Sequence, residues 1–125
     1  MKLVGFQLID IEPGRTFGAL DLKPDHLQQT GLVHGGVTAT LADIVCGFAA
    51  YTLVYPEQHV VTADLQISYL RPGLGTRLEA EGKVLKSGEK ICFCESEVWA
   101  INQQSRELIA KARAVMAVVS SQKKV

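Results

Sequence analysis

Apolar positions follow two different patterns along this chain, and the change between them marks its elements. Residues 5 to 12 and 16 to 22 read as two strands joined by Glu12-Pro13-Gly14-Arg15, where proline and glycine sit together at a reversal of the chain. Pro24 to Gln29 suits a helical turn, with Pro24 tolerated at its start. From Val37 to Leu53 the residues are almost all apolar or small, which predicts one long helix that Pro56 stops. Beyond it, residues 59 to 70, 77 to 86, 89 to 101 and 106 to 119 are rich in β-branched residues and separated by Arg71-Pro72-Gly73-Leu74-Gly75, Ser87-Gly88 and Asn102-Gln103-Gln104-Ser105. In the first of these, Val61, Ala63, Leu65, Ile67 and Tyr69 alternate with Thr62, Asp64, Gln66 and Ser68, the period of a strand with one buried face. Two strands, a helix and a four-stranded meander predict an α+β domain: an antiparallel sheet wrapped around one apolar helix. No repeat, linker or low-complexity segment divides residues 1–125, and Gln122 to Val125 reads as a solvated tail.

The helix carries the candidate chemistry. At about 100° per residue, Val37, Leu41, Ile44 and Phe48 share an apolar face, while Gly36, Thr40, Asp43 and Gly47 form a neighbouring stripe with little bulk. Small residues permit close packing, but they do not account for a carboxylate, which is costly on an apolar helix unless it is paired, solvated or useful. The stripe is expected to wall a cleft, with Asp43 facing a ligand. Burial among Leu41, Ala42, Ile44 and Val45 would suit Asp43 to basic or nucleophilic work. Ahead of the helix stands Gln28-Gln29-Thr30-Gly31-Leu32-Val33-His34-Gly35-Gly36. A glycine pair at a helix start leaves backbone N–H groups uncovered, so Gly35 or Gly36 can donate to a carbonyl oxygen that is gaining charge. His34 is expected to fix this loop or to touch the ligand. Phe48, Tyr51 and Tyr69 suit either the core, where aromatics are commoner, or the lining of a pocket.

Bulk properties narrow the partners. Thirteen Lys plus Arg balance thirteen Asp plus Glu, so no global field recommends a nucleic acid or an anionic membrane, and an anionic ligand must be held by local charges. Cys46, Cys92 and Cys94 are odd in number, and Cys92 and Cys94 share one face of a strand, a poor geometry for a disulfide, which suits reduced cysteines in a cytoplasmic protein. The start Met1-Lys2-Leu3-Val4-Gly5 does not read as a signal peptide, nor the Asp43 helix as a membrane span. His26 and His59 read as loop residues. No His, Cys and carboxylate trio has ligand spacing, so neither metal nor cofactor is expected.

Gln28, Gly31, His34-Gly35-Gly36 and Asp43, followed by Val61-Thr62-Ala63-Asp64-Leu65-Gln66-Ile67-Ser68-Tyr69-Leu70-Arg71-Pro72-Gly73, resemble the hotdog-fold acyl-CoA thioesterases of the PaaI type, within the 4-hydroxybenzoyl-CoA thioesterase-like superfamily. The resemblance covers nearly the whole chain. It implies hydrolysis of aryl-, arylacetyl- or medium-chain acyl-CoA, with Asp43 as general base or nucleophile, Gln28 holding the thioester group and Thr62 positioning the attacking water. Gly47 falls where some relatives carry a threonine. The same resemblance directs CoA phosphates toward Arg71, Lys86, Ser87, Gly88 and Lys90. It implies a homodimer in which Asp43 of one protomer meets the glycines and Gln28 of the other, and dimers that associate into a homotetramer. Two other classes compete. A hotdog hydratase or dehydratase places its histidine and carboxylate otherwise, and a non-catalytic acyl-CoA-binding domain needs no base such as Asp43.

Overall fold

The computed structural model describes residues 5–120, so the expected tail at Gln122 to Val125 and the residues before Gly5 lie outside the described residues. The elements are β1 (Gln7–Glu12), β2 (Arg15–Asp21), a 3₁₀ turn (Pro24–His26), α1 (Gly35–Tyr51), β3 (Gln58–Tyr69), β4 (Arg77–Ser87), β5 (Ile91–Asn102) and β6 (Ser105–Ser120). All six strands form one antiparallel sheet in the order β1-β2-β4-β5-β6-β3, with α1 across one face. This is the hotdog arrangement that the sequence resemblance implies.

The expected four-stranded meander holds only for β4, β5 and β6. β3 pairs with β6 at the far edge, so residues 70–76 are a crossover rather than a hairpin turn. They pass the ends of β6 and β5, where the Leu70 amide donates to the Ile109 carbonyl at 2.8 Å and the Thr76 amide to the Ile101 carbonyl at 2.9 Å. Gly75 allows that passage, because a Cβ there would lie 2.4 Å from the Ile101 carbonyl oxygen.

The helix begins two residues before the expected Val37 and ends at Tyr51, ahead of Pro56. Thr52 closes it: its hydroxyl donates to the Ala49 carbonyl at 2.7 Å and accepts from the Gly14 amide at 2.7 Å, which ties the helix end to the β1–β2 turn. The buried face is also rotated from the expected one. Thr38, Leu41, Ala42, Val45, Cys46, Ala49 and Ala50 face the sheet, while Val37, Ile44 and Phe48 are half-buried on the flank. The small alanines lie inward because the sheet comes close. At Gly82 of β4 a Cβ would stand 2.4 Å from the Val45 carbonyl carbon and oxygen, so only glycine admits the helix backbone.

Beneath the first turns of α1 lies a core of Leu20, Leu41, Val45, Leu78, Val98 and Ile109, and beneath its end Cys46, Cys92, Cys94, Ala114 and Met116. Cys92 and Cys94 do share the inner face of β5, and all three cysteines are free. The Cys94 thiol is pushed up by its hydrogen bond with Cys46 and by burial, so it stays protonated.

The expected inner face of β3 is only half right. Leu65 and Ile67 pack against the core, but Val61 is exposed and Val60 is packed inward instead. A bulge at Ala63 is the cause: Thr62 pairs with Met116 and Asp64 with Val115, leaving Ala63 as the extra residue. One inserted residue exchanges the two faces of a strand, so Thr62, not Val61, stands beside the helix.

Candidate active site

Two clefts open at the two ends of α1. The first, of about 350 Å³, is lined by Asp43, Ile44, Gly47, Phe48, Tyr51, His59, Val60, Thr62 and Met116. Its polar centre is one hydrogen bond: the Thr62 hydroxyl, turned inward by the bulge, donates to Asp43 Oδ1 at 2.7 Å. Asp43 is half-exposed at this mouth rather than deeply buried, because the helix turns Leu41, Ala42 and Val45 toward the sheet and Asp43 away from it. Around the carboxylate, Ile44, Phe48, Tyr51, Val60 and Met116 supply an apolar wall, and Phe48 is held by stacking on Phe6 with ring centroids 6.0 Å apart.

The second cleft, of about 340 Å³, is lined by Gln28, Leu32, Val33, Gly35, Thr38, Tyr69, Leu70, Arg71, Pro72, Gly73 and Ile109. Its rim is a loop folded by its own backbone. The Gln28 amide donates to the Leu32 carbonyl at 2.7 Å and the Gly31 amide to the Gln28 carbonyl at 2.9 Å, with Gly31 at φ +87°, a left-handed conformation that favours glycine. Below it, buried His26 accepts the Lys23 amide on Nδ1 at 2.9 Å, and its carbonyl accepts the His34 amide at 3.0 Å. His26 is thus a structural residue of this loop, not a solvated one.

His34 is the N-cap of α1 in extended conformation, and its carbonyl accepts the amides of Val37 at 3.0 Å and Thr38 at 3.3 Å. Its exposed side chain makes no capping bond, so the backbone of His34 does the fixing. Among the described residues the amides of Gly35 and Gly36 have no backbone acceptor, as the first turn of a helix dictates. Of the two, Gly35 lines the cleft with Gln28, while Gly36 is exposed outside it.

The other expected site residues separate. Gly47 lines the Asp43 cleft, with open space where a Cβ would stand. Thr40 lines neither cleft: its hydroxyl turns back to the Gly36 carbonyl at 2.8 Å. Arg71 borders the Gln28 cleft and is steadied by a 2.8 Å bond from Nη1 to the Leu108 carbonyl. Ser87, Gly88 and Lys90 line a third hollow of about 440 Å³ with Leu53, Tyr55, Gln58 and Val118, at the opposite end of β3 from Arg71. Lys86, beside a second bulge in β4, is exposed and lines none of the three.

Of the aromatics that the sequence leaves between core and lining, Phe48 and Tyr51 line the Asp43 cleft and Tyr69 the other. Tyr51 and Tyr69 are 49% and 53% exposed, so of the two expectations lining holds for them and core does not. His59 was expected in a loop; it belongs to β3 and lines the Asp43 cleft. The position of Tyr69, two and four residues after Ile67 and Leu65, already put it on the helix side of β3. Its exposure follows from its place at the very end of the strand.

Comparison with known proteins points the same way. Residues 30–107 match the family described as the thioesterase superfamily. The chain is 30% identical to human acyl-coenzyme A thioesterase 13 over 85% of its own length and 74% of that protein's. A thioesterase family protein from Silicibacter pomeroyi superimposes with a TM-score of 0.94 at 26% identity, over 96% of this chain and 88% of that one. The BH2602 protein from Bacillus halodurans, crystallised with CoA, has a TM-score of 0.77 at 29% identity over 82% of this chain and 70% of that one.

Proposed function

The chain belongs to the thioesterase superfamily, and from that premise we propose that it hydrolyses acyl-CoA thioesters to a free acid and CoA at a site shared between two protomers. The observation that carries the proposal is Asp43, half-exposed in an apolar cleft and held by the Thr62 hydroxyl at 2.7 Å. A carboxylate oriented by one donor keeps lone pairs free for a water molecule or for attack on a carbonyl. Thioester hydrolysis asks for little more. The departing thiol has a pKa of about 8.5, so it leaves as thiolate without a strong general acid, and a preorganised N–H suffices to hold the oxyanion.

That donor is the Gly35 amide, with Gln28 beside it to orient the thioester. Within one chain the two parts stand apart: eight residues of helix separate Gly35 from Asp43, about 12 Å along the axis, and they open into different clefts. β3 supplies the remedy. It is an edge strand of twelve residues whose start borders the Asp43 cleft and whose end borders the Gly35 cleft. Antiparallel pairing of this edge with that of a second copy sets each start against the other's end, so Asp43 of one protomer faces Gly35 and Gln28 of its partner. The proposal therefore includes a homodimer, and a homotetramer as its further association.

The acyl group lies against Ile44, Phe48, Tyr51, Val60 and Met116, a wall suited to an aryl, arylacetyl or medium-chain group. Arg71 from one side and Lys90 with Ser87 and Gly88 from the other are the phosphate-holding candidates, with exposed Lys86 next to Ser87 in sequence as a further one. Free CoA released from aryl-, arylacetyl- and straight-chain acyl-CoA is the test. Wild type turns over at least one class, and Asp43→Asn lowers kcat at least about 10²-fold with folding and oligomeric state unchanged. No release by wild type from any thioester, or equal rates in both proteins, contradicts the proposal.

A further inference from the structure

The side of α1 that walls the Asp43 cleft is made of Asp43, Ile44, Gly47, Phe48 and Tyr51. Their spacing keeps them on one side of the helix, with Gly47 at the centre of the group. Four side chains thus surround a position that has none. A Cβ on Gly47 would come within 4 Å of nothing beyond its chain neighbours and the helix backbone, so the space over it is open to the cleft.

Nothing within the chain asks for glycine there. Six of the other glycines, Gly82 among them, have a neighbour within 3.3 Å of where a Cβ would stand, and three more, Gly31 among them, have a positive φ. Gly36 alone shares the freedom of Gly47, and it belongs to the first turn of α1. Gly47 is interior to the helix, where glycine is less favourable than alanine because it leaves more backbone freedom to lose on folding. The helix is therefore weaker than an alanine would make it, with no contact that requires the weakness.

A ligand supplies the missing reason. Gly47 follows Asp43 by one helical turn, about 6 Å along the axis. A group that attacks a thioester stands about 3 to 3.5 Å from the carbonyl carbon, so an acyl group laid along Ile44, Phe48 and Tyr51 crosses Gly47 within its first few carbons. We infer that, given thioester hydrolysis at this site, Gly47 is a specificity-determining residue. Its bare backbone admits acyl groups that are broad beside the carbonyl, with a ring or a branch at the second or third carbon. A straight chain is slim enough to pass a side chain at this position and gains less from the glycine.

Gly47→Ala and Gly47→Leu test this, since both replacements are good helix formers. CoA release is measured from phenylacetyl-CoA and 2-methylhexanoyl-CoA, which are broad beside the carbonyl, and from hexanoyl-CoA, which is not. Wild type is expected to turn over the two broad substrates at a kcat/KM no lower than that for hexanoyl-CoA. In Gly47→Ala the ratio of kcat/KM for each broad substrate to that for hexanoyl-CoA should fall about tenfold, the effect of one methyl group in a fitted pocket, and in Gly47→Leu it should fall further. The thermal midpoint of Gly47→Ala should rise by about 4 °C, with oligomeric state unchanged. A wild-type preference for hexanoyl-CoA, or a ratio that both variants leave unchanged, overturns the inference while hydrolysis stands. So does a Gly47→Ala protein that dissociates or melts lower, because the space then belongs to the packing of a second protomer. Absence of hydrolysis of every thioester by wild type overturns the functional proposal itself, and the inference with it.

Discussion

Thr62 and Asp43 form the smallest unit on which the proposed chemistry depends. A hydroxyl that donates to Oδ1 at 2.7 Å restrains a carboxylate that lines the cleft. Thr62→Val keeps the β-branched shape and removes the donor, so kcat for acyl-CoA should fall about tenfold or more, and Thr62→Ser, which keeps the hydroxyl, should recover most of it. Steady-state kinetics on the two variants decides this; equal losses in both would assign the effect to packing. At this scale the sequence was informative about residue types and less so about their surroundings. Asp43 and Gly35 stand out because a lone acid on an apolar helix and a glycine pair at its start are unusual on physical grounds, whereas Gln28 is singled out by the family resemblance. The exposure of Asp43 was not legible, because the face of the helix that meets the sheet depends on the close approach at Gly82, which the apolar pattern does not show. Nor was the structural part played by His26 legible, since its burial depends on the fold of residues 23 to 34.

Elements set the position of these residues through two backbone details. The first is the bulge at Ala63, which turns Thr62 toward α1 and Val61 to solvent. Strict alternation gave the right strand and the correct inner residues after the bulge, Leu65 and Ile67, but the wrong ones before it. An extra residue leaves little mark in a hydrophobic pattern. The second detail is Gly82, where the Val45 carbonyl lies 2.4 Å from the position of a Cβ. Backbone cannot swing aside as a flexible side chain does, so Gly82→Ala should push α1 off the sheet and cost about 3 kcal/mol. Urea unfolding measures it, and a midpoint equal to wild type would contradict so close a contact. The same displacement carries Asp43 away from Thr62, so activity should fall with stability. The placement of β3 beside β6 rather than β4 was not legible because Pro72, Gly73 and Gly75 read equally as a tight turn and as a crossover held to Ile109 and Ile101.

For the whole molecule, one described chain carries both halves of the proposed site in two clefts along one helix, and the edge strand β3 runs between them. The shared site is therefore the central claim, and subunit mixing tests it most directly. Asp43→Asn and Gln28→Ala, each weakly active alone, are refolded together and assayed for CoA release. If sites form between protomers, about half of the dimers are mixed and each of these has one intact site of two, so the mixture regains about a quarter of wild-type activity. An activity no higher than the mean of the two separate variants would place Asp43 and Gln28 in one site of one chain, or in no common site, and would contradict the account.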